Sequence, residues 1–387
     1  MSCSYSNLII ANNHNPQTKG KKVKIKDGWV EYSDKSSMLN FKSIHRFLNF
    51  ISGLRNSFGA EVFGIEIRFP NMEADDKLSI QILESVIYSL ISDYKYSVSI
   101  SMKMFTNILT EGVKYSPLQH LTKADYSEDR FIKEYESQMN LRHYRKIVPR
   151  EWSYTDKLGS NVFLDVYDTL FHQIENKDFA QALAEVSTEL VNNANEHNDS
   201  DCILDLDISD NYVKTDESEG IYYAINLTVV SFSNITLSDH LYSKITKGDY
   251  NGSRYDTVAE AYENHKSFFT EKYRETDFFM AASFQDKITG RKSCSSSGGT
   301  GLTRLIQMLE EYADSSKCYV VSDNRALYFL QDLLSYDENG WIGFNKENDF
   351  RNYPPETGTM KDIPINIPGV AYNLSFVCKK GEEHEYN

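Results

Sequence analysis

Between Phe41 and Met102 the apolar residues change their spacing three times, and that alternation restricts the fold more than any other feature of the chain. Phe41 to Phe58 carries apolar side chains at 44, 47, 48, 51 and 54, the spacing of one helix face. Glu61 to Pro70, EVFGIEIRFP, alternates and stops at proline, as a buried strand does. Leu78 to Ile91 returns to helical spacing, and Tyr96 to Met102, YSVSISM, alternates again. Strand, helix and strand in succession are the parts of a βαβ unit. Residues 1–125 therefore predict a small α/β domain. The charged, helix-forming stretch 126–150, broken by Pro149, predicts a connecting helix.

The 387 residues suffice for two domains at roughly 100 to 200 residues each. Acidic side chains number 56 against 41 basic, a net charge of −15, which argues against a protein that coats DNA or RNA. No nucleic-acid partner is expected. Charge is unevenly placed: residues 1–60 hold nine basic and three acidic side chains, densest in the alternating run Lys19 to Lys26, which fits a contact for an anionic surface less well than a solvated edge strand guarded by lysine. Cys3, Cys202, Cys294, Cys318 and Cys378 lie far apart, so neither a disulfide framework nor a zinc cluster is supported, and a reducing compartment is expected. No run approaches the ~20 apolar residues of a membrane helix, and the first residues lack the pattern of a signal peptide. The expectation is a cytoplasmic protein with no membrane partner. Asp205 and Asp207 alternate with Leu204, Leu206 and Ile208, the pattern of a strand with a wet face, and His143 reads as a helix-surface residue.

Two short segments carry the chemistry. In LAEVSTELVNNANEH, residues 183–197, Leu183, Val186, Leu190 and Ala194 recur at helical spacing, so an amphipathic helix with one buried stripe is expected. At 100° per residue, Glu189 and Asn193 lie about 40° apart beside that stripe. An amide oxygen is a hard, neutral ligand suited to Mg²⁺. A carboxylate one turn earlier can deprotonate a water near such an ion. The same residues also fit a plain helix whose Glu and Asn face solvent. The second segment, Ser297-Gly298-Gly299-Thr300-Gly301-Leu302-Thr303-Arg304-Leu305, runs into the helical pattern IQMLEEY. Glycines ahead of a helix let backbone N–H groups approach an anion, although glycine also begins helices for geometry alone. A Walker A loop is absent.

Glu189-Leu-Val-Asn-Asn193-Ala194 resembles the N-box, E-x-x-x-N-A, of the GHKL ATP-binding superfamily, which includes gyrase B subunits, mismatch-repair ATPases, histidine kinases and anti-sigma serine kinases. His197 fits the N-A-x-x-H form of its kinase-like members. Gly298-Gly299-Thr300-Gly301-Leu302 resembles the family's G2 box, G-x-T-G-L, and follows the N-box in the family's order. The resemblance implies an α/β sandwich over residues 151–380, a mixed sheet with helices on one face. It implies ATP and Mg²⁺ as ligands, with Asn193 holding the metal and Glu189 acting as general base. Amides of Gly299, Gly301 and Leu302 would meet phosphate, with the Thr300 hydroxyl beside them; just upstream, Arg291 and Lys292 read equally as added charge on the phosphate side or as a solvated pair. Ile367 to Phe376 resembles the family's last strand, Cys318 to Ser322 the one before it. Residues 234–297 would be a lid, 331–362 an insertion and 381–387 a polar tail.

One family motif is missing. Where members carry D-x-G-x-G, whose Asp accepts from the adenine amino group, this chain reads Ser231-Phe-Ser-Asn234-Ile-Thr236. Ser231 and Asn234 are the candidates to replace that Asp, with Asp239 a few residues on. An α/β domain ahead of such a module resembles bacterial proteins that join a STAS-like domain to an anti-sigma-type ATPase. The expected function is a Mg-ATP-driven switch with slow hydrolysis, a protein partner and a homodimeric state. The alternatives are an anti-sigma-type serine/threonine kinase using the same site and a degenerate, non-enzymatic GHKL scaffold.

Overall fold

The computed structural model describes residues 7–18, 25–36, 38–58, 61–105, 115–155, 161–174, 176–198, 200–212, 220–288, 301–313 and 318–380. Of the basic run, only Ile25 and Lys26 fall among them, and the tail 381–387 lies outside. The chain is a mixed α and β fold. Its first sheet is parallel and centred on β3 (Gly64–Ala74), with β4 (Ser97–Phe105) on one side and β1 (Trp29–Ser33) and β2 (Met38–Leu39) on the other. Helix α2 (Phe41–Ser57) follows β2 and opens with a capping box, Asn40 Oδ1 accepting from the Ser43 amide and Ser43 Oγ from the Asn40 amide. Helix α3 (Lys77–Ser92) joins β3 to β4 and is capped by Asp76.

The second sheet has six strands in the order β5 (Ser137–Asn140), β6 (His143–Val148), β7 (Cys202–Tyr212), β8 (Tyr222–Ser231), β10 (Met360–Lys379) and β9 (Tyr319–Tyr328). All five pairings are antiparallel, where a mixed sheet was expected. Residues 126–150 are also not one connecting helix. Only Glu128–Glu136 is helical (α4), and the chain then enters the β5–β6 hairpin at the end of the second sheet. Alternation in QMNLRHYRKIV decides for strand, because every second side chain from Tyr144 to Val148 lies under the helices that cover the sheet.

Both faces of this sheet are covered. Helices α5 (Phe163–Phe171), α6 (Lys177–Asn198) and α10 (Gly301–Tyr312) pack on one. On the other lie α2, α3 and the short α1 (Asn7–Asn12), so that α3 sits between two sheets. Every residue of α3 from Lys77 to Ile91 is buried, which a helix with a single apolar face would not be. Two sequence readings change as a result. Asp205 and Asp207 are not on a wet face but fully buried against α3, and His143 is a buried strand residue rather than a helix-surface one.

Lys77 Nζ meets Asp205 Oδ1 at 2.8 Å and Asp207 Oδ2 at 2.5 Å. Arg145 donates from Nε to Asp205 Oδ2 (2.6 Å) and from Nη2 to Glu84 Oε2 (2.7 Å), while His143 Nε2 lies 2.8 Å from Asp205 Oδ1. Burial would raise the Asp205 carboxyl, but Arg145 and Lys77 overcome it and hold that group well below the ordinary range. Glu84 goes the other way, raised by its burial, and burial also lowers His143.

The described part of the range expected for the lid, 234–288, is helical and shares a core with the range expected for the insertion, while 289–297 lies outside the described residues. Helices α7 (Asp239–Thr246), α8 (Ser253–His265) and α9 (Glu275–Ala282) share a core with Trp341 and Phe350, whose rings stack 5.6 Å apart. Arg254 lies over Trp341 at 4.1 Å and donates to the carbonyls of Asn339 and Gly340. Arg325 of β9 pairs with Asp277 at 2.7 Å, and Arg274 with Asp362 at 2.7 Å. The segment around α9 is therefore anchored to the β9–β10 edge. Strand β10 also begins at Met360, inside the range expected for the insertion.

Candidate functional site

Helix α6 begins where Asn176 Oδ1 accepts from the Phe179 amide. Its buried stripe, Phe179, Leu183, Val186, Leu190 and Ala194, packs on the sheet face made by Leu204, Leu206, Leu227, Val229 and Leu374. Glu185, Glu189 and Asn193 follow one another at four-residue spacing, so they form one strip along the helix. All three are half-buried.

Two contacts fix how α10 lies beside this strip. Phe179 and Tyr312 rings meet edge-on with centroids 4.9 Å apart, and Arg304 Nη1 pairs with Glu185 Oε2. The start of α6 is thus next to the end of α10, and the two helices run antiparallel. Continuing that register puts Glu189 level with the first turn of α10. Asn193 lies one turn, about 6 Å, beyond it.

The first N–H groups of an α-helix have no partner inside the helix. At α10 these belong to Gly301, Leu302, Thr303 and Arg304. The Leu302 side chain packs against the core under α6, and Thr303 Oγ1 donates to Asp286 Oδ1 at 3.1 Å. Gly298, Gly299 and Thr300 lie outside the described residues, as do Arg291, Lys292 and the side chain of His197. Glu189 and Asn193 have no hydrogen-bond or ion-pair partner among the described residues. Thr188, between them, returns its hydroxyl to the Ala184 carbonyl at 2.8 Å.

The oxygen donors of this strip are the Asn193 amide and the Glu189 and Glu185 carboxylates. No group of three His, Cys, Asp or Glu converges among the described residues. An ion held by Asn193 Oδ1 would therefore need waters or phosphate oxygens to complete its shell, which is how Mg²⁺ is usually bound.

The two candidates for the base separate. Ser231 is fully buried at the end of β8, its hydroxyl 2.8 Å from that of Ser200, two residues past α6. It offers no acceptor at the surface. Asn234 is exposed. Asp239 accepts from the Thr236 amide at 2.7 Å and begins α7. A separate cavity of about 560 Å³, lined by Ile245, Tyr250, Tyr262 and Glu263 among others, lies between α7 and α8 and includes nothing from α6 or α10.

Sequence reading missed the Glu185–Arg304 pair and the Asp286 contact to Thr303. The partners of the first stand 119 positions apart, and no local pattern connects them. The only hint was that Glu185 precedes Glu189 by one turn. Among the described residues no helix is long and apolar enough to cross a membrane. In comparisons with known proteins, the chain matches no family model, no curated protein and no solved structure.

Proposed function

We propose that the protein is a Mg²⁺-nucleotide-binding module of the GHKL kind, a conformational switch that hydrolyses ATP slowly. The observation that supports the reading is the antiparallel packing of α6 on α10, through Phe179 with Tyr312 and Glu185 with Arg304, on the same strip of α6 that carries Glu189 and Asn193. The order of elements supports it: a motif-bearing helix, two strands, a helical segment, a glycine-led helix and two more strands.

In this reading the Gly298 to Leu302 segment and the positive end of α10 receive phosphate. Asn193 Oδ1 holds Mg²⁺, which neutralises phosphate charge when bound. Glu189, one turn away, accepts a proton from the attacking water. Its half-burial keeps it close to a site from which bulk solvent is partly excluded. Asp286, four residues past α9, accepts from Thr303 in the first turn of α10, so a movement of the α7–α9 unit over a nucleotide would be felt there.

The test is calorimetric titration with Mg-ATP together with phosphate release from wild type and Glu189→Ala. Binding is expected in both proteins, with turnover lost in the variant. Absence of binding at millimolar Mg-ATP would reject the reading. Labelled phosphate appearing on a protein, and not in solution, would replace it by the kinase alternative.

A further inference from the structure

We propose that the cavity between α7 and α8 binds a small alkylammonium ion, and that the Lys266 ammonium marks the place where the ligand's own ammonium sits. The inference is independent of the nucleotide reading, because nothing from α6 or α10 lines this cavity.

The walls follow from how the two helices are joined. Helix α7 ends in a Schellman turn: Gly248, at a φ of +66°, donates to the Ile245 carbonyl at 3.1 Å, and Asp249 donates to that of Lys244 at 3.0 Å. The chain then passes through Tyr250 and enters α8, which packs beside α7. Along α8 and its C-cap, Ala259, Tyr262, Glu263 and Lys266 recur at three- and four-residue spacing and form one stripe. All four line the cavity together with Ile245 and Thr246 of α7. Its volume of about 560 Å³ falls within the roughly 300 to 1,000 Å³ of small-molecule sites.

The chemistry of this lining selects a cation. The Tyr262 ring is held by the core of the helical unit, 5.1 Å from Phe279 and 5.7 Å from Phe278, and its hydroxyl donates to Glu275 of α9. Lys266 Nζ lies over that ring, 4.6 Å from its centroid, and donates to Glu263 Oε1 at 2.6 Å. A ring face and a carboxylate thus already hold one ammonium between them. Glu260 adds a second carboxylate, so two negative groups meet one positive and the lining carries a net −1. An anion is disfavoured and a monocation favoured. Ile245, Ala259 and the Tyr250 ring, all part of the core of this unit, supply the apolar wall for a short carbon chain. Lys266 and Glu263 are both exposed, and the lysine head rides on a flexible four-carbon stem. It can swing into water and yield the ring to a ligand, losing only an exposed ion pair and an exposed cation–π contact.

Titration of the full chain by saturation-transfer NMR with n-butylammonium, n-butanol and n-pentanoate, which share one butyl chain and differ in charge, tests this. Butylammonium is expected to bind saturably and at least about tenfold more tightly than the other two. In Lys266→Met, a change at an exposed side chain, the competing ammonium is gone and the affinity for butylammonium should rise about three- to fivefold. Adding Glu263→Gln to that variant should remove the gain. Absence of saturable butylammonium binding, pentanoate binding equally well, an affinity unchanged or lowered in Lys266→Met, or a gain that survives Glu263→Gln would overturn the inference. Tighter binding of Nα-acetyl-lysine methylamide than of butylammonium would also overturn it, by assigning the cavity to a lysine of a peptide.

Discussion

The two faces of the six-stranded sheet are made by alternate residues of the same strands, yet they are held by different physics. Under α6 the cross-strand rows read Tyr144, Leu206, Leu227, Leu374 and Lys146, Leu204, Val229, Tyr372. Under α3 they read His143, Asp207, Asn226, Ser375 and Arg145, Asp205, Thr228, Asn373, all buried. Only the next row on that face, Ile147, Ile203, Val230 and Ala371, is apolar again. The first face is held by area removed from water and carries the candidate site. The second is held by charges that are stable only as a set, and it fixes where α3 lies. An apolar contact loses a share when one residue is trimmed, whereas an ionic cluster loses its balance.

The largest effect should therefore come from Lys77→Met. It leaves Asp205 and Asp207 buried with one cation fewer and should cost about 3 to 5 kcal/mol in denaturant unfolding. A companion change, Asp207→Leu, removes the stranded charge, so the double variant should be less destabilised than the sum of the two singles. Strict additivity would show that this face behaves like the other.

On the apolar face, Leu227→Ala should cost about 2 to 5 kcal/mol, and Leu206→Ala in the same row a similar amount, through lost burial and the cavity left behind. Their loss should be insensitive to salt and pH. A pH-dependent penalty at Leu227 would blur the contrast.

His143 gives a smaller, directional effect. Burial lowers its pKa, so the folded chain keeps it neutral while the unfolded chain takes up a proton below its ordinary value of 6.5. Stability should thus fall as pH drops from 7 through 6.5 toward the lowered folded value, by up to about 1.4 kcal/mol per pH unit. His265 is lowered by burial too and adds to the same fall. His143→Gln, which keeps a donor for Asp205, should show a shallower loss across that window; an unchanged pH profile would mean that His143 titrates alike in both states. Smallest of all, Arg304→Ala breaks a largely exposed pair with Glu185 and should change stability by about 1 kcal/mol or less.

The same contrast explains what the sequence disclosed. The helices α2, α3 and α6 and the strands β3, β4 and β7 are visible in their period, because each has a face that must be apolar. The ionic face is not. A strand reading Leu204-Asp205-Leu206-Asp207 looks identical whether its aspartates meet water or Lys77, which lies 130 positions away from Asp207. His143 and the β5–β6 hairpin were hidden for that reason, behind a charged stretch that also satisfies a helix. At the candidate site, the Glu189–Asn193 strip was legible from helical spacing. Its placement beside the α10 first turn was not, since it depends on Phe179 meeting Tyr312. The commitment of Ser231 to Ser200 was equally invisible, because nothing local reveals whether a hydroxyl is already bonded.

The central claim is that the strip on α6 holds a metal-bound nucleotide, and calorimetric titration of ATP into wild type and Asn193→Ala, each with Mg²⁺ and with EDTA, tests it most directly. Wild type should bind ATP more tightly with Mg²⁺ than without, and Asn193→Ala should lose that Mg²⁺-dependent gain, about tenfold or more, while its unfolding midpoint stays close to wild type. Equal Mg²⁺ dependence in both proteins, or no heat of binding in wild type, would contradict it.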